Sequence, residues 1–135
     1  IGTDSAASNN ALDMFEEMRT ASLLAKGMAQ DPLALPASET FYMATRAGAL
    51  SQGRETTGDI AAGYQADLVM VDMETPVMTP CHAALSNLVY AANGGAVCLT
   101  MVDGRVVYRD GVFLTLDIDQ VRAKVSEAVK NILAR

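Results

Sequence analysis

Two Asp-Gly pairs constrain what this chain can fold into more than any other feature of it. Asp103-Gly104 stands between Val97-Cys98-Leu99-Thr100-Met101-Val102 and Arg105-Val106-Val107-Tyr108, and Asp110-Gly111 leads into Val112-Phe113-Leu114-Thr115. A two-residue hairpin turn needs positive φ at both central positions, which Asp tolerates and Gly adopts freely. Between β-branched runs, the two pairs predict an antiparallel meander. Upstream, Ala66-Asp67-Leu68-Val69-Met70-Val71-Asp72 is a short apolar run bounded by Gly63 and Pro76, and it reads as a buried strand.

The ends of the chain have a helical period. Ala11, Met14, Phe15, Met18, Ala21 and Ala25 share one face, opposite Asp13, Glu16, Glu17 and Thr20. The spacing predicts a helix over about 10–27, capped by Asn9-Asn10 and ending near Gly27. Pro36 suits a first helical position, so a second helix is expected from Ala37 to Leu50, stopped by Gly53. At the other end Asp117 and Gln120 form a capping box for a helix with Val121, Val125, Ala128, Val129 and Ile132 on one face, and Lys130 and Arg135 complement its dipole. The chain therefore reads as α+β, without an internal repeat, low-complexity tract or linker.

Charge excludes some functions. Among 135 residues there are 16 Asp plus Glu against 10 scattered Lys plus Arg, a formal charge of -6. No cationic footprint for a nucleic acid is present. The uncharged span 75–102 contains Pro76, Pro80, Asn87, Asn93 and Gly94-Gly95, which a bilayer would not accommodate cheaply. Two cysteines, Cys81 and Cys98, with no secretory leader pattern, point to reduced thiols and a cytoplasmic setting.

Several catalytic patterns begin and stop short. Gly48-x4-Gly53 has P-loop spacing, but Arg54-Glu55 replaces the Lys and Ser/Thr that such a loop requires. Pro80-Cys81 starts like the zinc motif of cytidine-type deaminases, yet Ala84 occupies the place of the second cysteine. His82 is the single histidine, too few ligands for a zinc site and more simply a loop residue. Ser5 lacks the glycine frame of a nucleophile elbow. What remains is Asp4, in Ile1-Gly2-Thr3-Asp4-Ser5-Ala6-Ala7-Ser8-Asn9-Asn10, an acidic residue after a short apolar start and before a helix. In (β/α) barrels catalytic groups sit at that place, and a carboxylate there can ligate a metal or take a proton from water on it. The plainer reading is an Asx-turn aspartate, since one carboxylate does not make a site.

The run Gly2-Thr3-Asp4-Ser5-Ala6-Ala7-Ser8-Asn9-Asn10-x-Leu12-Asp13-Met14-Phe15-Glu16-Glu17-Met18-Arg19 resembles the last barrel strand and following helix of amidohydrolase-superfamily deaminases. It is most similar to the subgroup with S-adenosylhomocysteine/5'-methylthioadenosine deaminases, with guanine deaminases and s-triazine chlorohydrolases as relatives. Met43-Ala44-Thr45-Arg46-Ala47-Gly48-Ala49 resembles the family's next helix, and Gly58-Asp59-Ile60-x-x-Gly63-Tyr64-x-Ala66-Asp67-Leu68-Val69 its return into the small β-domain. Ser86-Asn87-Leu88-Val89-Tyr90-Ala91-Ala92-Asn93-Gly94 and Val102-Asp103-Gly104-Arg105-Val106-Val107 extend the likeness over nearly the whole chain.

The resemblance implies the carboxyl-terminal part of a metal-dependent (β/α)8 barrel plus half of a small β-sandwich. Residues 1–56 would be the end of strand eight and the following helices, 57–116 the sandwich strands, and 117–135 a terminal helix. Asp4 would be the strand-eight aspartate, both catalytic and a metal contact, shuttling a proton from water to the departing amine. The parent would deaminate an adenosine-derived nucleoside with zinc, or iron; guanine and s-triazine are the alternative substrates. The family's His-x-His and its later histidines have no counterpart here, so the isolated chain is expected to be inactive, to hold no catalytic metal and to self-associate while lacking its amino-terminal barrel segment. The rival readings are a noncatalytic assembly module and one chain of a split hydrolase.

Overall fold

The computed structural model describes residues 1–134. Three helices come first: α1 (Met14–Ala29), α2 (Ala37–Ala44) and α3 (Arg46–Ser51). The strand β1 (Leu68–Val71) leads through a 3-10 turn at Pro76–Met78 into α4 (Ala84–Tyr90). After a second such turn at Gly94–Ala96 come β2 (Val97–Val102), β3 (Arg105–Arg109), β4 (Val112–Phe113) and the terminal α5 (Ile118–Leu133). The expected mixture of helix and antiparallel strand is observed.

The first helix begins later than its apolar period suggests. Its cap is Asp13, whose Oδ1 accepts the Phe15 N–H at 2.9 Å, and it runs past Gly27 to Gln30, which takes the left-handed conformation at φ 52°. Asn9 is occupied elsewhere, its Oδ1 accepting the Ala11 N–H in a local turn. The second predicted helix is two, because Thr45 at φ -117°, ψ -94° breaks the ladder. That break receives the loop from below. Gly58, at φ +78°, lies so close that a Cβ would stand 2.8 Å from the Thr45 carbonyl oxygen and 2.9 Å from the Ala49 Cβ. Only glycine fits this position on both counts. Arg46 fastens the same loop, donating through Nη1 to the carbonyls of Glu55 and Thr57 and lying over the Tyr64 ring.

The four strands form one antiparallel sheet in sequence order, with Leu68 opposite Met101, Thr100 opposite Tyr108 and Tyr108 opposite Phe113. Both hairpin turns have the backbone their sequences require. Asp103 and Gly104 have φ 48° and 77°, and Asp110 and Gly111 have φ 47° and 86°. β1 is only partly buried: it is an edge strand in which Leu68 and Val71 are half-buried, Val71 against the core, while Val69 and Met70 are each 56% exposed. The capping box of α5 is half formed. The Asp117 carboxylate accepts the Gln120 N–H, but the Gln120 side chain accepts from Lys124 instead of returning to the cap. Lys130 lies in the last turn as expected, while Arg135 falls outside the described residues.

The core sits where the helices meet the approach to the sheet. Met78, Ala92 and Ala96 are buried together, with Phe15, Val71, Met73 and Leu88 packed around them, and Met18 and Val89 are buried within the helical layer.

Candidate functional site

Residues 1–3 belong to no strand or helix, and Asp4 turns the chain at φ 58°. A non-glycine residue in this region is uncommon, and Asp is among the few that enter it readily. Its Oδ1 accepts the N–H of Ser5 at 2.7 Å. That differs from the expected Asx-turn, which uses the N–H two residues on. The other carboxylate oxygen accepts no hydrogen bond among the described residues, and Asp4 is exposed. Asp4 thus holds its backbone with one oxygen and leaves one oxygen open.

The segment behind Asp4 is tied down. The Ser5 carbonyl accepts the N–H groups of Ser8 and Asn9, both at 2.9 Å, and the Asn9 amide donates to Glu17 on α1. Asp13 does two jobs: Oδ1 caps α1, and Oδ2 accepts the Gly94 N–H at 2.9 Å, joining the start of the helix to the turn before β2. One turn further, Arg19 donates through Nη2 to the Ala92 carbonyl at 2.6 Å, while its Nε is buried without a partner. These links fix the loop that presents Asp4 to a helix whose inner face is packed.

A second polar cluster lies at the far end of α1, and the sequence reading missed it. Ser22, fully buried, donates to the Leu35 carbonyl at 2.7 Å and lies 2.8 Å from the Tyr90 hydroxyl. Lys26 donates to Ser22 Oγ and to the carbonyls of Ala34 and Leu35. Thr40, also fully buried, reaches the Leu35 carbonyl as well. The hydrogen bond with Ser22 and, against the opposing effect of burial, the nearby Lys26 ammonium lower the pKa of Tyr90. The cluster holds Leu35 in a left-handed conformation, φ 43°, and so closes the connection between α1 and α2. Ser22 and Lys26 are four residues apart on one helix face, which was the available signal.

The remaining candidates stay apart. Cys81 and His82 are exposed on the loop before α4, and no group of three or more His, Cys, Asp or Glu converges among the described residues. For a metal, the open oxygen of Asp4 is one available donor, joined by no second and third His, Cys, Asp or Glu among the described residues. That suits one ligand but does not complete a site, since catalytic zinc takes three protein ligands. No helix among the described residues is long and apolar enough to cross a membrane.

The family model described as "Amidohydrolase family" matches residues 1–107. The chain belongs to the amidohydrolase family. It is 44% identical over 135 residues to a 5'-deoxyadenosine deaminase of Methanosarcina mazei, and 43% identical over 135 residues to a 5-methylthioadenosine/S-adenosylhomocysteine deaminase of Pelotomaculum thermopropionicum. It spans 31% of the length of each. The crystal structure of an adenosine deaminase from Xanthomonas campestris with bound zinc superposes at a TM-score of 0.96 and 39% identity, covering 100% of this chain and 31% of that one. Zinc-complexed atrazine chlorohydrolase TrzN from Arthrobacter aurescens TC1 shares the fold at a TM-score of 0.80 and 24% identity, over 91% of this chain and 28% of that one. The α+β arrangement is thus that of about a third of an amidohydrolase chain.

Proposed function

We propose that this chain is the carboxyl-terminal third of a metal-dependent aminohydrolase that deaminates an adenosine-derived nucleoside, with Asp4 as metal contact and proton shuttle. The observation that carries the reading is whole-chain identity of 44% and 43% to deaminases of 5'-deoxyadenosine and of methylthioadenosine/S-adenosylhomocysteine, against 24% to the triazine enzyme. On this reading residues 1–56 hold the end of the last barrel strand and the helices after it. Residues 57–116 are the chain's share of a small sandwich, and 117–135 a terminal helix. The missing partner is the amino-terminal segment that brings the histidine ligands, and the isolated chain turns nothing over.

When bound, a divalent metal such as the zinc of the Xanthomonas enzyme supplies Lewis acidity and a water of lowered pKa. Asp4 performs the proton work. Its bonded oxygen fixes the carboxylate on the Ser5 N–H, and its open oxygen faces outward to take a proton and return it to nitrogen, so that ammonia leaves rather than an amide anion. The tether through Asn9 to Glu17 and the double contact of Asp13 keep that oxygen in place.

The test uses the full-length protein. Asp4→Asn keeps the size and the hydrogen bond to Ser5 but cannot accept the proton. Turnover of methylthioadenosine should fall about 10² to 10⁴-fold with thermal unfolding unchanged. Near-parental turnover with a full metal complement would return Asp4 to a purely local turn role.

A further inference from the structure

We propose that Glu17 is a positioning residue that aims the Asp4 carboxylate through Asn9, an inference that rests on the metal and proton roles proposed for Asp4. Asp4 is exposed, and its one side-chain hydrogen bond runs to the N–H of its own neighbour, Ser5. Such a bond orients the carboxylate on the loop but leaves the place of the loop in the fold undetermined. The Ser5 carbonyl carries the connection to Asn9, whose N–H it accepts at 2.9 Å. Among the described residues, Asn9 is the one member of 4–10 whose side chain hydrogen-bonds to a helix, and its partner there is Glu17 on α1.

The chemistry of the two side chains makes this contact directional. A carboxylate only accepts, so Glu17 takes the N–H of Asn9 Nδ2 and thereby turns Oδ1 toward the Ala11 N–H, 3.1 Å away. Both residues are half-buried, and a hydrogen bond to an ionised group is about twice as strong as a neutral one. Glu17 is itself fixed, since its N–H donates to the Asp13 carbonyl at 3.1 Å and the next residue, Met18, is buried. Glu16 separates this role from that of charge at a helix start. Both acids lie in the first turn of α1, where the dipole favours them, but among the described residues Glu17 alone of the two reaches the loop. Partners behind a metal-contacting side chain typically govern affinity or activity by about 10- to 100-fold.

Steady-state deamination of methylthioadenosine by the full-length protein loaded with zinc tests it, with zinc affinity read by chelator competition and thermal unfolding followed in parallel. Glu17→Ala should lower kcat and zinc affinity, each about 10- to 100-fold, with KM held. Glu16→Ala, which removes the same charge from the same turn, should lower neither. Glu17→Gln keeps an acceptor oxygen for Asn9 and should restore both. Asn9→Asp, which keeps an oxygen for the Ala11 N–H but sets a carboxylate against Glu17, should lose as much as Glu17→Ala. In an Asp4→Asn background Glu17→Ala should cost no more than about twofold further, since no carboxylate remains to be aimed. Parental kcat or zinc affinity in Glu17→Ala, an equal loss in Glu16→Ala, failure of Gln to restore them, or losses that multiply with Asp4→Asn would each overturn the positioning role and leave that of Asp4 standing. An Asp4→Asn enzyme with near-parental turnover would overturn both.

Discussion

The chain changes character at Val97. Before it lie all the buried side chains of the described residues, among them Met18, Ser22, Thr40, Met78 and Val89. From Val97 to Ala134 none is buried, although this stretch contains three strands and a 16-residue helix. Apolar content does not separate the two regions, for the second is as rich in Val, Leu and Ile as its strands demand. Cover separates them. The inner face of α1 has α2 and α4 opposite it, whereas the sheet and α5 have little of the chain across from them. Hydrogen bonding and turn chemistry are enough to fix the shape of a meander. Burial needs a second layer.

The largest effect expected from this contrast is at the methionines. Met78→Ala, at a fully buried site, should cost about 2–5 kcal/mol. Met70→Ala, on the exposed edge strand, should stay within about 0.5 kcal/mol. Urea unfolding followed by circular dichroism compares the two. Equal costs would break the contrast, since they would mean that β1 is covered in solution.

Within the first region, Ser22→Ala should cost about 1–3 kcal/mol, because it leaves Tyr90, Lys26 and the Leu35 carbonyl each short of a partner. A cost near zero in the same unfolding experiment would show that the helix connection is held by packing alone.

The smallest effect is a pH dependence. Tyr90 has its pKa lowered by Ser22 and Lys26, so above the depressed value the folded protein has released a proton that the unfolded chain still holds. Its contribution to stability therefore rises with pH, is complete above the unfolded value of 10.0, and is lost as pH falls through the folded value. The difference in unfolding free energy between the parent and Tyr90→Phe should grow across that alkaline window. A constant difference would contradict the ionised role of the cluster.

Much of the fold was legible beforehand because it rests on local chemistry. Both Asp-Gly turns, the start of α2 at Ala37, with Pro36 in the cap position rather than the expected first helical one, and the Asp117 cap each need only a few neighbouring residues. The errors came where distant contacts decide. The apolar period of α1 extends back to Ala11, but the helix starts at Met14 because Asp13 is held by Gly94, 81 residues away. The Ala37–Leu50 helix breaks at Thr45, where the loop carrying Gly58 presses against it. The run Leu68-Val69-Met70-Val71 has the composition of a covered strand, yet it lies at an edge. For the site, the place of Asp4 before a helix could be read, while the left-handed turn and the one open oxygen could not.

By itself the sequence determined most element types, the two hairpin turns and the family, because each is written in adjacent residues or in a long stretch of shared identity. Only the tertiary structure decided which apolar faces are covered. The convergence of Ser22, Lys26, Thr40 and Tyr90 on one carbonyl region and the link from Asp13 to Gly94 were likewise settled only there. The physical reason is that burial and side-chain hydrogen bonding depend on groups far apart in the chain, whose meeting depends on how every element packs at once, whereas a turn or a cap needs only its own few residues.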